Sequence, residues 1–218
     1  MKKELVFLVL VLFVVSVKGQ TSFTSGWLPK VVVSAKTSST TKWVNSIEAR
    51  EVFYEDEFTF SHSLVDVSSI FSIKSDVNKS FNVGYILRFK EDNVIHRAVQ
   101  HFNLVQSFDA LKLGHRFGFE QFFESGAKPQ YRTRYRASLE KALSGDKVDV
   151  KEWYVKLSNE YLWQFNEEDL EVRLSPYLGY QLSKKDKLEF GLDYRLGKLL
   201  DTPKKNSLWF RTTWYISL

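Results

Sequence analysis

The chain has 218 residues, 44% hydrophobic and 26% charged, with 18 Phe, 10 Tyr, 6 Trp, a formal net charge of +5 and no cysteine. Aromatic side chains at this density exclude a disordered chain, and the missing thiols exclude disulfides and zinc–thiolate centres. The basic excess does not gather into a stripe: charges of both signs alternate along the sequence, which argues against a nucleic-acid-binding surface.

Residues 1–19 have the form of a secretory signal peptide. Lys2 and Lys3 precede an unbroken apolar run from Leu5 to Val15, and Val17-Lys18-Gly19 offers a cleavage site before Gln20. As a helix that run spans about 16 Å, too short for a hydrocarbon core of about 30 Å, so a retained anchor is the weaker reading. Removing 1–19 leaves 28 basic and 25 acidic residues, a net +3, in one domain of residues 20–218.

From there the chain repeats one unit, ten to fourteen residues of apolar–polar alternation closed by a polar turn. In chain order the expected strands are 30–37, 43–54, 60–74, 81–91, 96–108, 111–123, 131–143, 152–165, 169–182, 187–199 and 207–218. The breaks include YEDE, SDVNKS, KEDN, SGAKPQ, SGDKVD, NEED, SKKDK and DTPKKN. Such short connections make neighbouring strands antiparallel hairpins in a meander. Residues 134–143 have helix-friendly composition, but their neighbours argue for a strand. The alternation blurs in 43–54, 60–74 and 96–108.

Elsewhere the faces separate cleanly. Trp153, Val155, Leu157, Tyr161 and Trp163 oppose Lys156, Ser158, Glu160 and Gln164, and Leu188, Phe190, Leu192, Tyr194 and Leu196 oppose Glu189, Gly191, Asp193, Arg195 and Gly197. A water-soluble sheet also alternates, and a soluble exported barrel binding a small ligand is the rival reading. Three features favour a membrane: strands longer than the usual five or six residues, aromatics near the strand ends, and an opposite face rich in Gly, Arg and Glu. The expected fold is an all-β transmembrane antiparallel meander barrel of 10–12 strands, apolar face outward and lumen charged. Parity argues for ten or twelve, since eleven strands cannot close antiparallel throughout. Pro29 suits a strand start better than an interior.

In this frame a lumen charge network is expected from Arg88, Arg116, Glu120, Arg132, Arg134, Arg136, Glu140, Glu160, Glu171, Arg173, Glu189, Asp193, Arg195 and Arg211. The glycines on that face would leave room for these long chains, so Gly191→Ala should cost little. Trp43, Trp153, Trp163, Trp209 and Trp214 are the expected interfacial aromatics.

Several stretches together resemble a family of uncharacterised exported proteins from Bacteroidota: the apolar leader ending at Gly19-Gln20, Trp27, Lys42-Trp43, RTRYRASLEKAL (132–143) and SPYLGYQLSKKDKLEFGLDYR (175–195). The resemblance covers nearly all of 20–218 and implies an outer-membrane barrel. It implies no activity, and it carries over no catalytic residue.

The lumen charges admit two readings, a selective pore lining or a salt-bridged filling of a narrow barrel, and the filling is favoured. A lipid-modifying hydrolase is the alternative class. Its candidate is His115, on an apolar face between Leu113 and Phe117, with Ser107 and Asn159 the nearest partners in chemistry; no signature spacing joins them. The acidic runs 54–57 and 166–169 are solvated turns in the simplest account. No cofactor and no metal site is expected. The expected partners are outer-membrane lipids and, during folding, the barrel-assembly machinery, with a small solute or protein partner left open.

Overall fold

The computed structural model describes residues 22–91 and 93–218, so the leader and its cleavage point lie outside the described residues. Eleven strands follow in chain order. They are β1 (Ser22–Lys36), β2 (Thr41–Glu55), β3 (Glu57–Lys74), β4 (Lys79–Lys90), β5 (Asn93–Phe108) and β6 (Leu111–Phe123). Then come β7 (Gln130–Ala142), β8 (Trp153–Gln164), β9 (Asp169–Gln181), β10 (Asp186–Gly197) and β11 (Lys205–Ser217). Each pairs with its neighbours in sequence, and β1 meets β11 to close a barrel.

Ten of the eleven pairings are antiparallel; the β1–β11 seam is parallel. This corrects the parity argument. Residues 22–29 neither add a twelfth strand nor drop away; they extend the first strand, and an odd count closes because one seam accepts parallel pairing. Pro29 lies inside β1, opposite Thr212 across the seam. On its other side the pairing passes from Trp27↔Glu51 to Lys30↔Glu48, so the residue without an N–H sits where the β1–β2 ladder skips.

The blurred alternation of 43–54 and 60–74 has a local cause. Register shifts fall between Ser25 and Gly26, between Arg50 and Glu51, and between Val52 and Tyr54. Each extra residue reverses the faces beyond it. Gly26 is required at the first shift, because a Cβ there would stand 2.0 Å from the Glu51 carbonyl oxygen. Residues 134–143 are strand throughout, within β7.

The expected faces are observed. On β10, Phe190 is 45% and Leu192 39% exposed, whereas Glu189 and Asp193 are 1% and 0% exposed. The barrel therefore turns most of its Leu, Phe and Trp side chains outward and encloses most of its ionic ones on the strands. Loops alternate between two rims. One carries 56, 91, 124–129, 165–168 and 198–204 with the start of β1; the other carries 37–40, 75–78, 109–110, 143–152 and 182–185 with the end of β11.

Candidate functional site

Because every strand alternates, the inner residues of adjacent strands align in cross-strand rows. One row runs Asn103, Arg116, Arg136, Glu160, Arg173 and Arg195, from β5 to β10. The row beside it carries His101, Gly118, Arg134, Leu162 and Glu171. Beyond the first lies a small-residue row of Gly114, Ser138, Ser158 and Ser175. Charge is thereby concentrated in bands, with hydroxyls alongside.

The carboxylates are shared among the guanidinium groups. Glu120, fully buried, accepts from Arg132 and from Arg134 Nη1 at 2.6 Å. Arg134 also donates to Glu160 Oε1 from Nε and Nη2, at 3.1 and 2.7 Å. Arg211 bridges two carboxylates, Nη1 to Asp193 at 3.0 Å and Nη2 to Glu48 at 2.8 Å, tying β11 to β10 and, across the seam, to β2. Arg195 donates to Asp193 at 2.8 Å, Arg173 to Glu171, and Lys156 to Glu189. Arg88 holds Asp66 with both ends of its fork, at 2.8 and 2.7 Å. Such pairing offsets much of the cost of holding these charges away from water.

Every expected network residue thus lies on the inner face, and Glu140 lies at its margin, where Lys112 reaches it at 3.2 Å. Asp66, Arg97 and Lys156 belong to the network too, and Glu48 is bound into it by Arg211. The first two lie on strands with blurred alternation, which is why the pattern did not single them out.

The inner glycines do not leave open space for arginines alone. A Cβ at Gly179 would stand 2.1 Å from Tyr154 Cζ, and one at Gly191 would stand 2.3 Å from Tyr177 Cδ1. Tyrosine rings lie against the bare backbone there. Tyr154 then reaches Glu189 Oε1 through its hydroxyl at 2.8 Å, and Tyr215 reaches Oε2 at 3.2 Å. The expectation of a mild Gly191→Ala is therefore corrected. Tyr177 shares the parity of Arg173 and Ser175, a signal that strand phase alone could have supplied.

Trp209 is a second correction. Trp43, Trp153 and Trp214 are exposed on the outer face and Trp163 is half-exposed there, but Trp209 is 4% exposed and packs with Leu28 and Val52. Arg50 and Arg195 stack over its ring at 5.2 and 5.6 Å. Its odd position on β11, with Arg211 and Thr213, turns it inward.

His115 is on the outer face, as expected. Its Nδ1 meets the Tyr135 hydroxyl at 2.8 Å, and the two rings stack. Its cross-strand neighbours are Leu104 and Ala137; Ser107 pairs with Lys112, and Asn159 is two strands away and donates to the Arg173 carbonyl. Among the described residues no serine hydroxyl bonds to His115, so nucleophile and base are not brought together. The acidic loops serve the backbone: Asp56 accepts from the Phe23 N–H at 3.0 Å and Asp169 from the Lys198 N–H at 2.9 Å.

What remains unfilled is a cavity of about 540 Å³ enclosed by residues from all eleven strands. Lys30, Lys156 and ten arginines line it, against the six carboxylates of Glu48, Asp66, Glu160, Glu171, Glu189 and Asp193. A second cavity of about 260 Å³ lies under the loops 124–129 and 165–168, and shares Arg88, Arg132 and Glu171 with the first.

A family profile described as "Protein of unknown function (DUF2490)" matches residues 25–206. The chain belongs to the DUF2490 family. Among solved structures, this DUF2490 barrel is similar to "Anion-selective porin from Comamonas acidovorans", with a TM-score of 0.41 and 12% identity over 78% of this chain. The match spans 54% of that porin's length, about half. No curated protein matches the DUF2490 chain.

Proposed function

We propose that this protein is an outer-membrane β-barrel, exported by its leader, whose narrow lumen is largely filled by ion pairs and whose remaining cavity favours small anions. The membrane setting is supported by the outer face. An outward belt of Leu, Phe, Tyr and Trp at this exposure suits an apolar solvent, and among the described residues the closed ladder leaves no strand edge to satisfy in hydrocarbon. A soluble ligand-binding barrel would carry the opposite polarity. The hydrolase reading lacks an assembled nucleophile and base.

One observation carries the lumen reading: twelve cationic side chains line the larger cavity against six carboxylates, seven with Glu120 behind Arg132 and Arg134. Fixed positive charge in a confined space lowers the energy of an entering anion and raises that of a cation. The paired charges meanwhile hold the wall rigid and keep the bore small. Reconstitution in planar bilayers under a salt gradient tests this. Small conductance with a reversal potential displaced toward the chloride equilibrium is expected; a displacement toward the potassium equilibrium would refute the anion preference. Recovery of the protein in a soluble periplasmic fraction would refute the membrane assignment.

A further inference from the structure

The row Asn103, Arg116, Arg136, Glu160, Arg173, Arg195 contains two places where arginines face one another on neighbouring strands: Arg116 with Arg136, and Arg173 with Arg195. Like charges directly opposite repel. Arg173 and Arg195 are compensated by Glu171, Glu160 and Asp193. The first pair is not. Arg116 spends its Nε on the neutral Asn103 carbonyl at 2.7 Å and makes no ion pair among the described residues. Among the described residues Arg136 has only Glu160, at 4.0 Å, an acid already committed to Arg134.

A second observation lies beside them. His101 is 6% exposed, and neither ring nitrogen has a hydrogen-bond partner among the described residues. The charged groups facing it are Arg116, Arg134, Glu120 and Arg136. Gly118 permits this closeness, since a Cβ there would stand 2.7 Å from Arg134 Cγ and 2.9 Å from His101 Cδ2. Ser138 and Ser158 follow in the next row, and all five side chains line the same cavity.

We infer that Arg116 and Arg136, flanked by His101, Ser138 and Ser158, hold a small oxyanion of the phosphate or sulfate class inside the lumen. The site rests on the anion-favouring reading of the lumen and makes it specific. Guanidinium forks match the geometry of oxyanions, serine hydroxyls add neutral donors, and a bound anion removes the repulsion between the two arginines. Glu160 limits the charge on that side, which favours a small ligand over an extended polyanion.

Phosphorus NMR of inorganic phosphate mixed with the folded full-length barrel tests the site. A broadened phosphate line is expected, sharpened again by sulfate but not by chloride at equal ionic strength. Arg116→Gln should weaken binding at least about tenfold, while Arg50→Gln, which removes the same charge elsewhere in the lumen, should leave it within about twofold. A wild-type line as sharp as in protein-free detergent overturns the site without recourse to any variant. Equal losses in both variants also overturn it, because bulk charge would then explain the binding. Where Arg116→Gln does not fold, Arg136→Gln carries the comparison. The two proposals fail separately. Chloride-selective current with a sharp phosphate line removes the site alone, and phosphate binding in a barrel that passes no current removes the permeation reading alone.

Discussion

The two arginine pairs of the inner row share a strand geometry and differ in their surroundings. Arg173 and Arg195 sit in the β9–β10 wall, where Glu171 and Asp193 interleave with them and Arg211 extends the network to Glu48. Arg116 and Arg136 sit in the β6–β7 wall, where Gly114, Gly118 and Ser138 occupy the corresponding neighbouring positions. The first wall is built as a closed electrostatic unit. In the second, positive charge is left facing the cavity. The difference shows how one barrel can spend arginines on rigidity along one arc and on an available field along another.

The largest expected effect breaks the closed wall. Asp193→Asn strips a buried carboxylate from Arg195 and Arg211 together and should cost about 3–5 kcal/mol, measured by urea titration of the barrel folded into vesicles. A loss below about 1 kcal/mol would mean that the interior is wet enough to screen the pair. Next comes the residue beside it on the opposite face: Leu192→Arg should cost about 2–4 kcal/mol if it meets the bilayer midplane. Its cost should fall toward zero in a soluble setting. Gly191→Ala, pushing a methyl against the Tyr177 ring and the Pro176 carbonyl, should cost about 1–3 kcal/mol in the same titration, and pairing it with Tyr177→Ala should recover part of the loss. The smallest effect belongs to the open wall. Arg116→Gln, which removes one of two facing cations and no ion pair, should change stability by no more than about 0.5 kcal/mol, in either direction. A loss comparable to that of Asp193→Asn would erase the distinction between the two walls.

The faces of β6 to β11 were legible because their alternation is unbroken, and that alternation alone places Glu120, Arg134, Glu160 and Asp193 inside. The β1–β3 region was not, for a physical reason: bulges insert residues that shift phase without leaving a compositional mark, so Asp66 and Arg50 could not be assigned by counting. Trp209 shows the opposite error. Its parity on β11 was readable, but its residue type suggested an interface, and the type misled where the period was right. The tyrosines over Gly179 and Gly191 depend on cross-strand register, which no single strand encodes. The site formed by Arg116, Arg136 and His101 likewise needs three strands in register. Eleven strands lie within the expected ten to twelve, but the parity argument failed on an assumption, that a barrel must close antiparallel, which the β1–β11 seam does not obey.

The parallel seam fixes the relation between the two ends of the barrel. Ser22 and Leu218 stand at opposite rims, since β1 and β11 run the same way. If the wall spans a bilayer, a fusion placed ahead of β1 and one placed behind β11 must report from different compartments. An impermeant label added to intact cells would then reach one tag and spare the other, the reverse of what an even-stranded cylinder would show.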